Sequence, residues 1–566
     1  LHARFSGRLR NEMVTTVLVL GGYGGFGGRL SRRLAAAGLD VLVAGRRLSE
    51  AERFCTDVPG CRAVLADRDS DLVPLLSVAR PALVIDAAGP FQGSSYRVPL
   101  ACAHLDIPYL DLADDRAFVS GIGAIEANVP VISGASSVPA LSSAVARALT
   151  DDMEQVTAVE MAIGASNQAA AGRSVASAIL ASVGRPLPLW KGGRWTVGHG
   201  WQGMSREGFQ LSDGASLGHR LVGLVDVPDL VSLPERLPGR PAVAFRAGTE
   251  LAFQNMALWL AGWIGRWFGL PLRPLAPWLL PLQRLTAGLG SDRSGMVVRA
   301  FGLSGGHRLE RRWTLIAEKG HGPEIPVLAA EILAKRILSG DCAAGARDAG
   351  ELLSLSDFER AFAALAVRHE TRAIAQPDAL YRRVMRDDFD RLSPALRQLH
   401  GVLRDSGAAG SATVTRGRNP LARLIAATIG FPPAGEHQLH VSFSENNGEE
   451  TWTRDFAGRR FHSRLSQRGR ELVERFGPLR FRFALAREGG GLRMAMRGWS
   501  CFRIPLPLAL APRSDAREWQ DEHGRFAFDV PIALPLLGTI VHYRGWLSPT
   551  VMPGTKASAR LPESIC

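Results

Sequence analysis

The sequence predicts an α/β protein in three parts. These are a doubly wound parallel sheet, an α+β domain on a mainly antiparallel sheet, and a C-terminal α+β domain rich in antiparallel strands. Three observations predict this. Residues 14 to about 150 alternate short β-branched apolar runs with amphipathic ones, the pattern of strands covered on both faces by helices. Residues 151–345 cluster their strand-like runs, which suits an antiparallel substrate domain. Beyond about residue 380, runs such as "LRFRFAL" alternate Arg with Leu and Phe, as in a sheet wet on one side.

In chain order, the first strand is "VTTVLVL" (Val14–Leu20), and "GRLSRRLAAAG" is a helix stopped near Gly38. Val41–Gly45, Arg62–Asp67, Ala82–Gly89, Pro108–Asp114 and Val129–Ala135 are further strands separated mostly by helices. In the second part, Gln155–Ala165, Arg220–Val227, Pro241–Gly248, Gly295–Leu303 and Arg311–Gly320 read as strands. Between them lies Leu251–Leu285, an apolar segment in which Trp259, Trp263 and Trp267 share a helix face. Its apolar run before Arg266 is only about 15 residues, short of the ~20 that span a bilayer, and four prolines follow. A core or subunit-contact helix, a peripheral membrane contact through 251–285, and an apolar substrate gate all remain open for it. The third part begins with helices around Pro394–Leu403 and Leu421–Ile429, and strands then dominate. The expected units are 13–150 for nucleotide binding, 151–345 for substrate and dimerisation, a helical linker 346–380, a C-terminal domain 381–550, and a loose tail 551–566.

Composition narrows the function. The net charge of +13 comes almost wholly from scattered arginine, with lysine only at Lys191, Lys319, Lys335 and Lys556. No nucleic-acid recognition motif accompanies it, so no nucleic-acid partner is expected. None of the six cysteines forms a Cys-x-x-Cys pair, which fits a reducing compartment and a cytoplasmic location. The first twelve residues are polar and Arg-rich without a signal-peptide core, and Met13 is the expected natural start.

The strongest motif is "LVLGGYGGFGGRL", Leu18–Leu30. Its glycines fall as Gly22-x-Gly24-x-x-Gly27, directly between a buried-type strand and a helix. In that setting Gly22 allows a tight turn, Gly24 admits a pyrophosphate to the backbone, and Gly27 lets helix and strand pack closely. Tyr23, Gly25 and Phe26 complete the loop, and the helix N-terminus offers N–H groups to phosphate. This is a Rossmann dinucleotide site. The second strand ends in Arg46 and Arg47 rather than an acid, which favours the 2′-phosphate of NADP. Asp67, ending the third strand, either touches the adenine or caps its own loop. In "DAAGPFQG", Ala88 and Gly89 leave room for the cofactor, and Pro90 and Phe91 are expected to wall the nicotinamide.

Taken with "VAGR", "VIDAAGPFQ", "ACAHLDIPYLDLADDRAFV", "GASSVPALSSAV" and "EKGHGPEIPVLAAEILAKRIL", this loop resembles the saccharopine dehydrogenase-like NADP-binding proteins of bacteria over roughly residues 14–340. That family includes saccharopine reductases and trans-acting enoyl reductases. The last 170 or so residues resemble a bacterial domain of unknown function found fused to such reductases. The resemblance implies the fold and the cofactor. It does not name a substrate.

The chain departs from two reductase patterns. None of its five tyrosines carries a Lys four residues on, so Tyr-x-x-x-Lys chemistry is excluded. Through residue 318 the only lysine is Lys191, which argues against a lysine acid and against amino-acid substrates. Tyr96, Asp114, Arg116 and His321 are the candidate proton donors or oxyanion partners. No metal site is expected from His437, His440 and His462, which lack a carboxylate complement. The expectation is therefore a homodimeric NADP-dependent oxidoreductase for an apolar enoyl or carbonyl substrate. The alternative is a non-catalytic NADPH-binding sensor or scaffold whose C-terminal domain binds the effective ligand.

Overall fold

The computed structural model describes residues 15–168, 173–268 and 286–550. The expectations for the first twelve residues, the tail and the Pro-rich part of the Trp segment lie outside these residues.

The first sheet holds β1 (Thr16–Leu20), β2 (Asp40–Gly45), β3 (Cys61–Leu65), β4 (Leu83–Asp86), β5 (Tyr109–Asp111) and β6 (Pro130–Ser133). Its order is 3-2-1-4-5-6 and every pairing is parallel. Val17, Val19, Val41, Val43, Leu83 and Ile85 are fully buried, as strands covered on both faces must be. Helices α1 (Gly25–Ala36), α2 (Leu48–Thr56), α3 (Val73–Ala79), α4 (Arg97–His104), α5 (Arg116–Gly121) and α6 (Ser142–Thr150) connect and follow these strands.

The second sheet is built from β7 (Gln155–Ala165), β10 (Ser205–Gln210), β11 (Ser216–Leu224), β12 (Ala242–Thr249), β13 (Ser294–Ser304) and β14 (His307–Ala317), with β8 (Pro186–Lys191) and β9 (Arg194–His199) as a separate hairpin. All its pairings are antiparallel except β12 with β7. Helices α7 (Arg173–Ser182), α8 (Asp229–Arg236) and α9 (Ala252–Phe268) belong to this part.

The segment expected as a helical linker, 346–380, is not one. The chain first returns through α10 (Ile325–Leu338), which packs on α1. β15 (Gly345–Asp348) then adds a seventh parallel strand beside β6, and β16 (Val367–Ala375) adds an edge beside β14. The physical reason is the apolar run of α10: Val327, Leu328, Ala330 and Leu333 are fully buried in the first domain's core, which draws the chain back to that sheet.

The C-terminal strands are β17 (Asp405–Arg416), β18 (Gly435–Asn446), β19 (Glu449–Phe456), β20 (Arg459–Arg468), β21 (Glu471–Phe476), β22 (Leu479–Glu488), β23 (Gly491–Cys501), β24 (Ile504–Leu506), β25 (Asp515–Gln520), β26 (Phe526–Leu534) and β27 (Gly538–Pro549). Ten of them close into an antiparallel barrel, sealed by β22 against β23, with β24 as an appended edge. Closure removes the exposed edges of an open sheet. In β22, Phe481 and Phe483 join the barrel core while Arg480 and Arg482 alternate with them.

Charged joints fasten the barrel to the second sheet. The Arg404 guanidinium donates to both oxygens of Glu160 at 2.7 and 2.8 Å, and Arg299 donates to the same carboxylate at 2.7 Å. Those guanidiniums hold the Glu160 carboxyl down to about 2 against its burial. The hairpin β8–β9 adds Arg194 to Asp455 at 2.8 Å, and the Gly192 N–H donates to Asp405 at 2.6 Å.

Candidate functional site

The first sheet reverses its strand order between β1 and β4, and the crevice at the carboxyl ends of those strands is where such sheets take ligands. The glycine loop lies in that crevice. Gly21, with φ +70°, makes the left-handed turn, so the special backbone falls one residue earlier than the Gly22 expected from the motif. A Cβ on Gly21 would lie 2.9 Å from Ala88 Cα, so β1's loop rests directly on β4's. A Cβ on Gly22 would come within 2.8 Å of the Val19 carbonyl, and one on Gly27 within 2.2 Å of the Gly21 carbonyl. Gly27 therefore sets the closeness of helix to loop.

Gly24 and Gly25 are exposed, and nothing lies within 4 Å of a Cβ built on Gly25. Helix α1 begins there with no side-chain cap and no acid in its first turn. Its leading N–H groups and positive dipole end face open space. A cradle that any side chain would fill, next to an uncapped helix end, fits the pyrophosphate of a dinucleotide.

Neighbouring strand ends shape the rest of the crevice. Tyr23 lies over the end of β2, where a Cβ on Gly45 would strike its ring at 2.3 Å, and its hydroxyl accepts from the Arg47 N–H at 3.2 Å. The Arg47 side chain pairs with Glu50 at 2.7 Å. Arg46 is exposed and has no ion pair among the described residues, so its guanidinium is available to a ligand. Asp67 accepts from the Asp69 N–H at 3.1 Å, closing its own loop. Phe26 is half-buried against the first core.

The β4 loop is braced from behind. Asp86 is fully buried and accepts from Arg68 Nε at 3.0 Å and the Ala88 N–H at 2.9 Å. Arg68 also donates to Ser94 at 2.7 Å and covers the Phe91 ring at 4.8 Å. Phe91 is buried against Phe118 at 5.2 Å, whereas Gly89 and Pro90 stay half-exposed. Asp111, at the end of β5, accepts from Ala113 and Gly134 N–H groups at 2.9 and 2.8 Å and from Ser133 at 2.9 Å. Burial pushes its carboxyl up to about 6, and its second oxygen is without a partner among the described residues. Arg68, Asp86 and Asp111 were not singled out from sequence. The available signal was a lone charge ending a buried apolar strand, as in "VID" and "YLD".

The four candidate chemical groups separate. Tyr96 donates its hydroxyl to the Phe118 carbonyl at 2.8 Å and so locks α5. His321 accepts the Ala366 N–H on Nδ1 at 2.7 Å, in the loop ahead of α10. Arg116 pairs with Asp226 of the second domain at 2.7 and 3.3 Å, spanning the crevice between domains. Asp114 reaches solvent but sits within a wall of protein, and that surrounding mass, with Asp115 beside it, raises its carboxyl to about 6. Arg116 thus ties the first domain to the second, Asp114 lies two residues before it in the chain, and Tyr96 and His321 are bonded to backbone. Among the described residues no group of three His, Cys, Asp or Glu is set to hold a metal ion. Two open hollows of about 500 and 550 Å³ lie elsewhere, beside Arg383 and Arg470 and beside Gly38 and Arg62, and neither touches the glycine loop.

Comparison with known proteins adds the following. A family model described as a domain of unknown function (DUF4166) matches residues 392–547, the barrel. No curated protein matches the chain. Among solved structures, a short-chain dehydrogenase/reductase from Burkholderia thailandensis is similar at 19% identity and a TM-score of 0.15, over 17% of this chain and 51% of that one. WbmG from Bordetella bronchiseptica, in complex with NAD, is similar at 18% identity and a TM-score of 0.17, over 21% and 42%. A menthone neomenthol reductase from Mentha piperita is similar at 18% identity and a TM-score of 0.13, over 14% and 32%. The chain thus spans about a third to a half of the length of these structures. Likeness at such scores carries no argument, and the Rossmann class rests on strand order and loop geometry. The first of these is described as a short-chain dehydrogenase/reductase, and none of the three is described as saccharopine dehydrogenase-like.

Proposed function

We propose that the chain is a nicotinamide-dinucleotide oxidoreductase of the saccharopine dehydrogenase-like kind, preferring NADP and acting on an apolar enoyl or carbonyl substrate. The observation that carries this reading is the uncapped, glycine-lined start of α1 at the strand-order reversal, with the free Arg46 guanidinium at the end of β2. Backbone N–H groups of Gly25, Phe26 and Gly27 would hold the pyrophosphate. Arg46 would hold the 2′-phosphate, with Tyr23 and Asp67 flanking the adenosine. Ala88, Gly89 and Pro90 would border the nicotinamide, and the buried Phe91 would stiffen that loop.

When bound, NADPH supplies a hydride and leaves as NADP+. Reduction of a C=C or C=O bond then needs one proton, a role we assign to the Asp114 carboxyl. A group titrating at about 6 exchanges protons readily near neutral pH. Arg116, held by Asp226, fixes the second domain over the crevice. Arg116 is already paired with Asp226, and Lys191 is the only lysine through residue 318; both support an apolar substrate over an amino acid.

The test is NADPH consumption with medium-chain enoyl and keto substrates beside small amino and keto acids. Turnover of the apolar set, lost in Asp114→Asn with NADPH binding retained, supports the reading. Turnover of the amino-acid set alone contradicts it.

A further inference from the structure

Helix α9 (Ala252–Phe268) is mainly apolar yet little buried. Of its 17 residues only Asn255 and Gly262 are buried. Both are anchors. The Asn255 side chain bonds the Thr249 N–H at 2.9 Å and the Thr249 carbonyl at 2.8 Å. At Gly262 a Cβ would meet Gln202 Nε2 at 2.6 Å, and Gln202 itself donates to the Trp259 carbonyl at 3.0 Å. One face of α9 is thus fixed on the second domain.

The opposite face of the helix carries an exposed apolar stripe. Phe253, Met256, Leu260, Ile264 and Trp267 follow one another at steps of three or four, and their exposures are 52, 54, 54, 40 and 73%. Phe268 extends the stripe at 70%. Single exposed hydrophobics are ordinary, but a continuous stripe marks a contact surface.

Charge and composition select the occupant. Helix α9 carries no Asp or Glu, while Arg266 supplies positive charge and Trp259, Trp263 and Trp267 fall along it. The Arg266 guanidinium lies 5.6 Å from the Trp263 ring, which puts a cation beside the stripe. Tryptophan and arginine around an apolar helical face suit the headgroup level of a bilayer. Among the described residues no helix is long and apolar enough to cross a membrane. At about 25 Å, α9 has the length to lie in the surface plane.

We infer that α9 docks the protein flat on an anionic phospholipid surface, with Phe253, Met256, Leu260, Ile264 and Trp267 inserted and Arg266 at the headgroups. This contact is independent of the cofactor reading and stands if no nucleotide binds.

The test is flotation of the full chain with phosphatidylglycerol/phosphatidylcholine vesicles and with pure phosphatidylcholine. The wild type is expected to float with the anionic vesicles and at least several-fold less with the neutral ones. Leu260→Gln with Ile264→Gln is expected to cut the floated fraction about tenfold. Arg266→Gln is expected to cut it less, and raised salt to narrow that difference from the wild type. Unchanged circular dichroism and melting temperature confirm that these surface variants fold. Should they not fold, blue-shifted tryptophan emission of the wild type on anionic vesicles alone decides the question. A wild type that stays with the pellet, or floats undiminished by the stripe variants, overturns the inference. A concentration-dependent dimer that dissolves in the Leu260/Ile264 variant, without flotation, assigns the face to a second copy and overturns it as well.

Discussion

Gly27→Ala tests the glycine cradle most sharply. The new Cβ would stand 2.2 Å from the Gly21 carbonyl oxygen and 2.8 Å from its carbon, where ordinary contact begins at 3.4 Å. The helix start must therefore move by 3.4 − 2.2, about 1.2 Å, away from the β1 loop. Overpacking of this kind costs about 1–3 kcal/mol, and the helix preference of alanine over glycine returns up to about 1 kcal/mol. The variant should stay folded with a modestly lower melting temperature. Binding should suffer far more. An N–H to phosphate bond of about 2.9 Å lengthened by roughly 1 Å is no longer a hydrogen bond. Loss of two such charge-assisted bonds, at about 1.5–3 kcal/mol each, weakens affinity by more than ~100-fold. Gly25→Ala is the counterpart. Its Cβ meets no protein atom within 4 Å, so the free protein should be as stable as the wild type. Its affinity should nonetheless fall, because the methyl group enters the space assigned to phosphate. The assay is titration with NADPH followed by nicotinamide fluorescence. Wild-type affinity in Gly27→Ala would refute the cradle.

Further outcomes follow from other residues. Arg47→Ala should change nucleotide choice less than Arg46→Ala, since Arg47 is already paired with Glu50; a larger effect at Arg47 would reassign the 2′-phosphate contact. Turnover should rise as pH falls through about 6 if Asp114 gives the proton as an acid, and that limb should vanish in Asp114→Asn; a pH-rate profile checks both. Arg404→Met should lower the melting temperature by removing one of two guanidiniums from Glu160, a loss of about 2 kcal/mol with Arg299 remaining. Burial raises Asp405 and Glu450 to about 7, so their folded forms bind protons that the unfolded chain has released above its ordinary carboxylate range. Stability should therefore decline between about pH 4 and pH 7, and melting curves at pH 5.5 and 7.5 should show the lower midpoint at the higher pH.

The first sheet and its glycine loop were legible because their determinants are local. β-branched runs such as "VLVL" and "VLVAG" form strands wherever they lie, and a glycine cluster between strand and helix has one common structural use. The left-handed residue was less legible, since Gly21 and Gly22 differ only in which one rests on Ala88. The return of β15 to the first sheet depends on where α10 buries its apolar residues, which a pass along the chain does not register. β17, "DSGAAGSATVTR", has little strand propensity of its own and pairs because β18 and β27 flank it. Barrel closure is likewise a relation between β22 and β23 rather than a property of either. In the crevice, Asp114 and Arg116 could be named from sequence. Whether Tyr96 and His321 were free could not, because their partners are backbone groups of residues 118 and 366.

The central claim is that the loop from Gly21 to Gly28 and Arg46 form an NADP site. Parallel titration of the wild type and Arg46→Ala with NADPH and NADH tests it most directly. The account predicts tight NADPH binding by the wild type, weaker NADH binding, and a ~10–100-fold loss for NADPH alone in Arg46→Ala. Failure of the wild type to bind either nucleotide would contradict it.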